Sequence, residues 1–234
     1  MLCLIVQISL RSMSLKRMIG HMSIFKQLIR SGVVQPGAVA AGLQQPHVNH
    51  ELHPMELSRP LAGLDISYPP GLKRNCGFQK GFSVPPVGSA GGLSLWCDDN
   101  IDLEVKGFSK KFIDTIITDN QRGTHYRASW VYGTPYREEK EACWNFLEGV
   151  LRYTDLPWLC GGDFNEILWS FEKRGGSEQP SNRPLYLHNF MEKARFIDLG
   201  YQRSSFTWRA HRQNGIFVQE RLDRVLGNLP WQES

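Results

Sequence analysis

The sequence predicts an α/β sandwich, and three observations carry that reading. Between residues 92 and 132, short strand-like runs follow one another with turn residues between them. Beyond residue 133, helical and strand-like runs alternate. The signatures of a doubly wound nucleotide-binding sheet are absent: there is no G-x-G-x-x-G behind a strand and no G-x-x-x-x-G-K-[ST]. H-E-x-x-H and G-x-S-x-G are missing too. With 234 residues, 41% of them hydrophobic, the chain has material for one ordinary core.

The strand runs are Leu93 to Trp96, Ile101 to Phe108, Phe112 to Thr118 and Arg127 to Tyr132, which alternate or are β-branched. Asp98-Asp99-Asn100 and Ser109-Lys110 are turn formers between them, so residues 92 to 132 read as an antiparallel meander. A helix follows. Thr134 suits its cap, Pro135 its first turn and Glu138, Glu139 and Glu141 its start, while Trp144, Leu147, Val150 and Leu151 form one apolar stripe. Pro157 to Cys160 is a short apolar strand that breaks at Gly161-Gly162. A second helix spans about Pro184 to Phe196, with Leu187, Phe190, Met191 and Ala194 on its apolar side. Phe206-Thr207-Trp208 is a strand fragment, and Arg221 to Leu226 ends the readable order.

Upstream of residue 75 the text differs. Residues 1–10 are apolar, but positive charges follow rather than precede them, unlike a secretory signal. Leu10 to Arg30 is basic and acid-free, which fits an organellar transit helix or, more simply, chance translation upstream of a truncated gene. Residues 31–73 are rich in Pro, Gly, Gln and His and are expected to have little order. His47, His50 and His53 have metal-like spacing, but Pro46 and Pro54 bracket them and no further ligand set completes a site. Residues 1–74 are therefore read as an unmatched segment and 75–234 as the domain. The net charge of +4 lies in the first 50 residues, which hold five basic and no acidic side chains. A fold that gripped phosphate through bulk charge alone would carry its basic excess in the domain. Five cysteines without C-x-x-C spacing read as reduced thiols of an intracellular chain, with no disulfide-linked partner. Nothing approaches the ~18 consecutive apolar residues of a membrane span, so no membrane partner is expected.

The chemistry is concentrated in WLCGGDFNE, residues 158–166. An apolar strand ends in two glycines and then presents Asp163 and Asn165. Side chains two apart on an extended segment share a face, so this pair is expected to point into one cleft. A carboxylate can move a proton or orient water, and an amide can hold a phosphate oxygen. The glycines are read as allowing close backbone approach to a ligand. Arg221-Leu222-Asp223-Arg224 lies 60 residues beyond Asp163, and Val131-Tyr132-Gly133 precedes the first helix.

VGSAGGLSLWC, Tyr132-Gly133, PWLCGGDFNEIL, EKRGG, FTW and RLDR resemble the endonuclease/exonuclease/phosphatase superfamily over about residues 76–234. The likeness is strongest to the endonuclease domains of plant LINE-type retrotransposons. It implies a partial four-layer α/β/β/α sandwich, Mg²⁺ as cofactor, DNA as partner and an intracellular, nuclear setting. It implies that Asp163 is the catalytic Asp and that Asn165 contacts the scissile phosphate. Tyr132 would hydrogen-bond the phosphate, and Asp223 would orient the catalytic His. Trp208 reads as a core aromatic more than a site residue, Glu166 and Glu172 as solvated or capping groups, and Arg221 and Arg224 as exposed more than as partners of carboxylates or phosphate. Two family parts have no counterpart: the Mg²⁺-ligating Glu strand upstream of residue 75, and the Ser-Asp-His block after Asp223. Asn75-Cys76-Gly77 leaves no room for that strand, Glu51 and Glu56 follow no apolar run, and His211 sits in a polar turn. The expectation is therefore an inactive nuclease relic that does not bind Mg²⁺. The alternatives are an active endonuclease completed by a longer product, and a non-catalytic nucleic-acid-binding relic.

Overall fold

Alternating side chains and glycine-marked strand ends predict stacked sheets, and the computed structural model has them. It describes residues 3–7, 78, 80–85, 92–178, 180, 182–201, 204–212 and 215–234. The strands are β1 (Cys3–Gln7), β2 (Lys80–Val84), β3 (Leu93–Cys97), β4 (Ile101–Ser109), β5 (Phe112–Asp119), β6 (Thr124–Tyr132) and β7 (Trp158–Asp163). They continue as β8 (Lys173–Arg174), β9 (Ile197–Asp198), β10 (Trp208–His211), β11 (Phe217–Glu220) and β12 (Asp223–Gly227). The α-helices are α1 (Lys140–Val150), α2 (Tyr186–Ala194) and α3 (Leu229–Glu233). A six-stranded sheet has the order β4-β5-β6-β7-β12-β9, with β6 and β7 parallel. Smaller sheets run β1-β3-β2 and β10-β11-β8.

Alternation along the strands builds two cores. On one face of the large sheet Ile113, Ile117, Tyr126, Ala128, Trp130, Leu159 and Val225 meet Val84, Leu93, Leu95 and Cys97 of the small sheet. On the other face Phe112, Val131, Trp158, Cys160 and Leu226 meet Trp144 and Leu147 of α1 and Leu187, Phe190 and Ala194 of α2. The described layers are thus sheet, sheet and helices, part of the expected sandwich. No described helix is long and apolar enough to cross a membrane.

Several elements differ from the expectation. The meander holds for β4, β5 and β6, but β3 pairs with β1 and β2 in the other sheet. Asp98 to Asn100 turns the chain between sheets, which lets β3 bury all five of its residues. The apolar Cys3–Gln7 is a strand on β3, and nothing in its own residues announced that partner. The first α-helix begins at Lys140, behind a 3₁₀ turn at Arg137–Glu139; Thr134 is buried and donates to Glu139 Oε2 (2.7 Å). His211 ends strand β10 instead of sitting in a turn, and α3 extends the order past Leu226. Cys97, Cys143 and Cys160 are buried. Burial pushes the Cys143 and Cys160 thiols up, away from the reactive thiolate. Residues 31–73, the 47/50/53 histidines and the basic stretch from Leu10 lie outside the described residues.

Asn228, fully buried, ties the end of β12 to the entry of β7. Its Oδ1 accepts from Trp158 N (2.8 Å) and Trp231 N (3.0 Å), and its Nδ2 donates to Leu156 O (2.9 Å) and Thr154 O (3.3 Å). Asn228→Ala leaves those buried groups unpaired and is expected to cost about 2–3 kcal/mol, read by urea unfolding. A loss under ~0.5 kcal/mol would show that water replaces the amide without penalty.

Candidate active site

Strand register assembles the site. Tyr132, the last residue of β6, lies opposite Asp163, the last residue of β7, and Asp163 lies opposite Asp223, the first residue of β12. Register partners share a face, and this face also bears Leu159 and Val225 toward the small sheet. A phenol and two carboxylates therefore stand side by side at one sheet end. Backbone bonds hold that end together: Gly133 N donates to Asp163 O (2.7 Å) and Phe164 N to Leu222 O (2.9 Å). Tyr132 is mostly buried, with Lys111 Nζ 5.6 Å from its ring centroid.

Asn165 joins them by a route the alternation argument did not foresee. The strand stops at Asp163, and Asn165 takes a left-handed conformation, φ +48°. Three contacts offset that strain. Its N–H donates to Asp163 Oδ1 (2.9 Å), its Nδ2 to Gly133 O (3.0 Å), and its carbonyl accepts from Lys140 Nζ (2.8 Å). An Asx turn, not strand pleat, brings the amide beside the carboxylate. The glycines also act differently from the expectation. A Cβ on Gly162 would lie 1.9 Å from Val131 O, and one on Gly133 2.0 Å from Phe164 O. They let β6, β7 and the following turn touch backbone to backbone; no ligand is needed to explain them.

The surrounding charges correct further expectations. Glu166 is not solvated: it is buried between Lys140 Nζ (2.6 Å) and Arg183 Nη1 (2.9 Å). Glu172 does cap its turn, accepting from Leu168 N (2.6 Å) and Trp169 N (3.2 Å), but it is buried. It meets Arg221 (3.0 Å) and Arg224 (2.7 Å), which also hold Asp198, each at 2.8 Å. Burial works against the ionised Glu172, but hydrogen bonding and charge from Arg224 outweigh it and lower its pKa. Burial likewise opposes the charge on Arg224, and Glu172 and Asp198 more than restore it. Arg221 and Arg224 are buried on either side of Asp223 rather than exposed, because both pair with these two acids. Trp208 is half-buried at the start of β10, on the small third sheet away from both cores. Thr207, not singled out in the sequence, accepts from Leu222 N and Asp223 N, both at 3.0 Å, and sets the height of Asp223. Its place inside FTW was the one available signal. Lys140 gave no such signal, since its partner lies 25 residues away.

The described histidines lie elsewhere. His125 is the second residue of β6, at the strand's far end from Tyr132 and beside Thr118; His188 meets Leu168 O; and His211 packs on Phe217. Among the described residues no three His, Cys, Asp or Glu side chains gather as a metal site. Asp163 and Asp223 offer hard oxygens but do not amount to a donor set for a divalent ion.

A model described as the Endonuclease/Exonuclease/phosphatase family matches residues 16–233. The chain belongs to that family. Its members typically use divalent metal ions. The match begins well upstream of residue 75. Among solved structures, the endonuclease domain of TRAS1, a telomere-specific non-LTR retrotransposon, is similar at TM-score 0.50 and 14% identity, over 66% of this chain and 68% of that one. TDP2 from D. rerio, complexed with a single-strand DNA product, has TM-score 0.44 and 14% identity over 67% and 64%. The catalytic domain of APE2 from Xenopus laevis has TM-score 0.42 and 14% identity over 66% and 67%. No curated protein matches the chain. The fold is thus that of this nuclease and phosphodiesterase family, with a retrotransposon endonuclease among its structural neighbours.

Proposed function

We propose that this chain is a retrotransposon-derived endonuclease domain that receives a DNA phosphodiester at the sheet end formed by Tyr132, Asp163, Asn165 and Asp223. The observation that carries this reading is the register that sets Tyr132, Asp163 and Asp223 side by side on three adjacent strands. One Nδ2 hydrogen of Asn165 goes to Gly133 O, and the second faces a phosphate oxygen. Asp163 orients the attacking water or protonates the leaving oxygen. Tyr132 donates its hydroxyl to the phosphate, and Asp223 holds a base when one is present.

On this reading the site formed by the described residues does not turn over by itself. Hydrolysis needs a base and neutralisation of the phosphate charge. The described histidines are committed elsewhere, and the described carboxylates form no metal-binding group. With Mg²⁺, the purified chain is expected to nick supercoiled plasmid or abasic duplex no faster than its Asp163→Ala variant. Nicking that Asp163→Ala abolishes would overturn the inactivity and leave the site assignment standing.

A further inference from the structure

The turn that follows Asn165 exposes two large aromatic side chains. Trp169 is 49% and Phe171 75% exposed, and their rings are nearly parallel, 10° apart with centroids 6.5 Å apart. This turn is rigidly held. Glu172 caps it and is clamped by Arg221 and Arg224, the residues that flank Asp223. His188 packs edge-on against Trp169 at 4.5 Å and is fixed to Leu168 O (3.0 Å). An exposed indole held edge-on by His188, with a second ring nearly parallel beside it, presents apolar faces to a flat partner.

A cavity of about 320 Å³ opens beside them, lined by Ser170, Lys173, Gly175, Gly176, Ser177 and Glu178. Ser170, which lies between the two aromatics in sequence, lines this cavity, so the cavity adjoins the platform. The cavity supplies hydroxyls, glycine backbone, the Glu178 carboxylate and an ammonium paired with Glu220 (3.0 Å); the exposed Arg174 next to it adds a positive charge. Trp169 is four residues from Asn165, so their Cα atoms lie within ~15 Å, a few nucleotides along a strand.

We propose that Trp169 and Phe171 form a stacking platform for an unpaired nucleobase, and that the adjoining cavity takes that nucleotide's sugar and phosphate. The proposal rests on the phosphodiester reading of the neighbouring site and extends it, naming a strand with an unstacked base as the ligand. Rings without charge select flat π-faces, and the adjoining cations suit a phosphate, so one nucleotide satisfies both halves.

The test uses the full chain and two fluorescent strands of equal phosphate count, a decathymidylate and a base-free deoxyribose-phosphate decamer, at low salt. The wild type binds the base-bearing strand more tightly. Phe171→Ala and Trp169→Ala weaken that binding by about 5- to 150-fold and reduce it to the level of the base-free strand. The salt dependence stays unchanged in both variants, whereas Lys173→Ala lowers its slope by about one. Phe171→Trp retains the preference, and because Phe171 is exposed its alanine variant keeps the wild-type melting curve. Equal binding of both strands by the wild type, or a preference that survives both alanine variants, overturns the platform alone. No binding of either strand overturns the platform together with the phosphodiester reading beneath it.

Discussion

Gly162→Ala is expected to cost about 4 kcal/mol or more, enough to unfold a domain of ordinary stability. Its φ is +150°, and the added methyl would sit 1.9 Å from Val131 O, closer than any packed carbon approaches. The obstacle is backbone of β6, which cannot move without breaking the β6–β7 ladder that sets Tyr132 opposite Asp163. Gly215→Ala is the control. It also has positive φ, +77°, but nothing lies within 4 Å of its Cβ position, so the cost is only about 1–2 kcal/mol of backbone strain. Denaturant unfolding of both variants separates the two effects. A Gly162→Ala protein as stable as Gly215→Ala would mean that the strands are not in contact at the site.

The second large effect comes from Glu172. Glu172→Ala leaves Arg221 and Arg224 sharing Asp198 alone in a buried setting where the Arg224 Nε already has no partner. Breaking a buried ion network from one side costs about 3–5 kcal/mol. A pH dependence follows. The folded carboxyl titrates below its ordinary value, so its contribution is fully present above the usual glutamate range near ~4.3. It is lost as pH falls below that range through the depressed folded value. The melting temperature is therefore expected to fall from about pH 4.5 downward, and that part of the slope should vanish in Glu172→Gln. An unchanged acid slope in Glu172→Gln would remove this carboxylate from the account. Glu172→Ala also releases the cap on the Trp169 turn and the clamp beside Asp223, so platform and site are expected to loosen together.

Much of this arrangement was legible from residues, and what was missed has a common cause. The runs at Ile101, Phe112 and Arg127 are strands because alternation at period 2 is a local property. Asp163, Asn165 and Asp223 stand out because glycine-marked strand ends and the RLD run are contiguous in sequence. The 3₁₀ turn ahead of α1 was not legible: Thr134 bonds to Glu139 instead of capping, a choice between two local partners. The charges around the site were misread as solvated or exposed because isolated Glu and Arg mostly are. Glu172 and Arg224 are 52 positions apart, and only the passage of β12 beneath the Glu172 turn makes either one buried and affordable.

By itself the amino-acid order determined the layered α/β class, an apolar strand leading into Gly-Gly-Asp, and which side chains are candidates for the chemistry. Each of these follows from spacing within one segment. Tertiary structure alone decided that β3 leaves the meander for a second sheet, that Asn165 reaches Asp163 through a left-handed turn, and that Thr207 and Lys140 hold the site residues in place. It also decided that Trp169 and Phe171 stay open to solvent. Most of those outcomes depend on which distant backbones meet, and pairings across 15 to 94 residues are selected by the burial of whole sheet faces, a sum no short window of sequence contains.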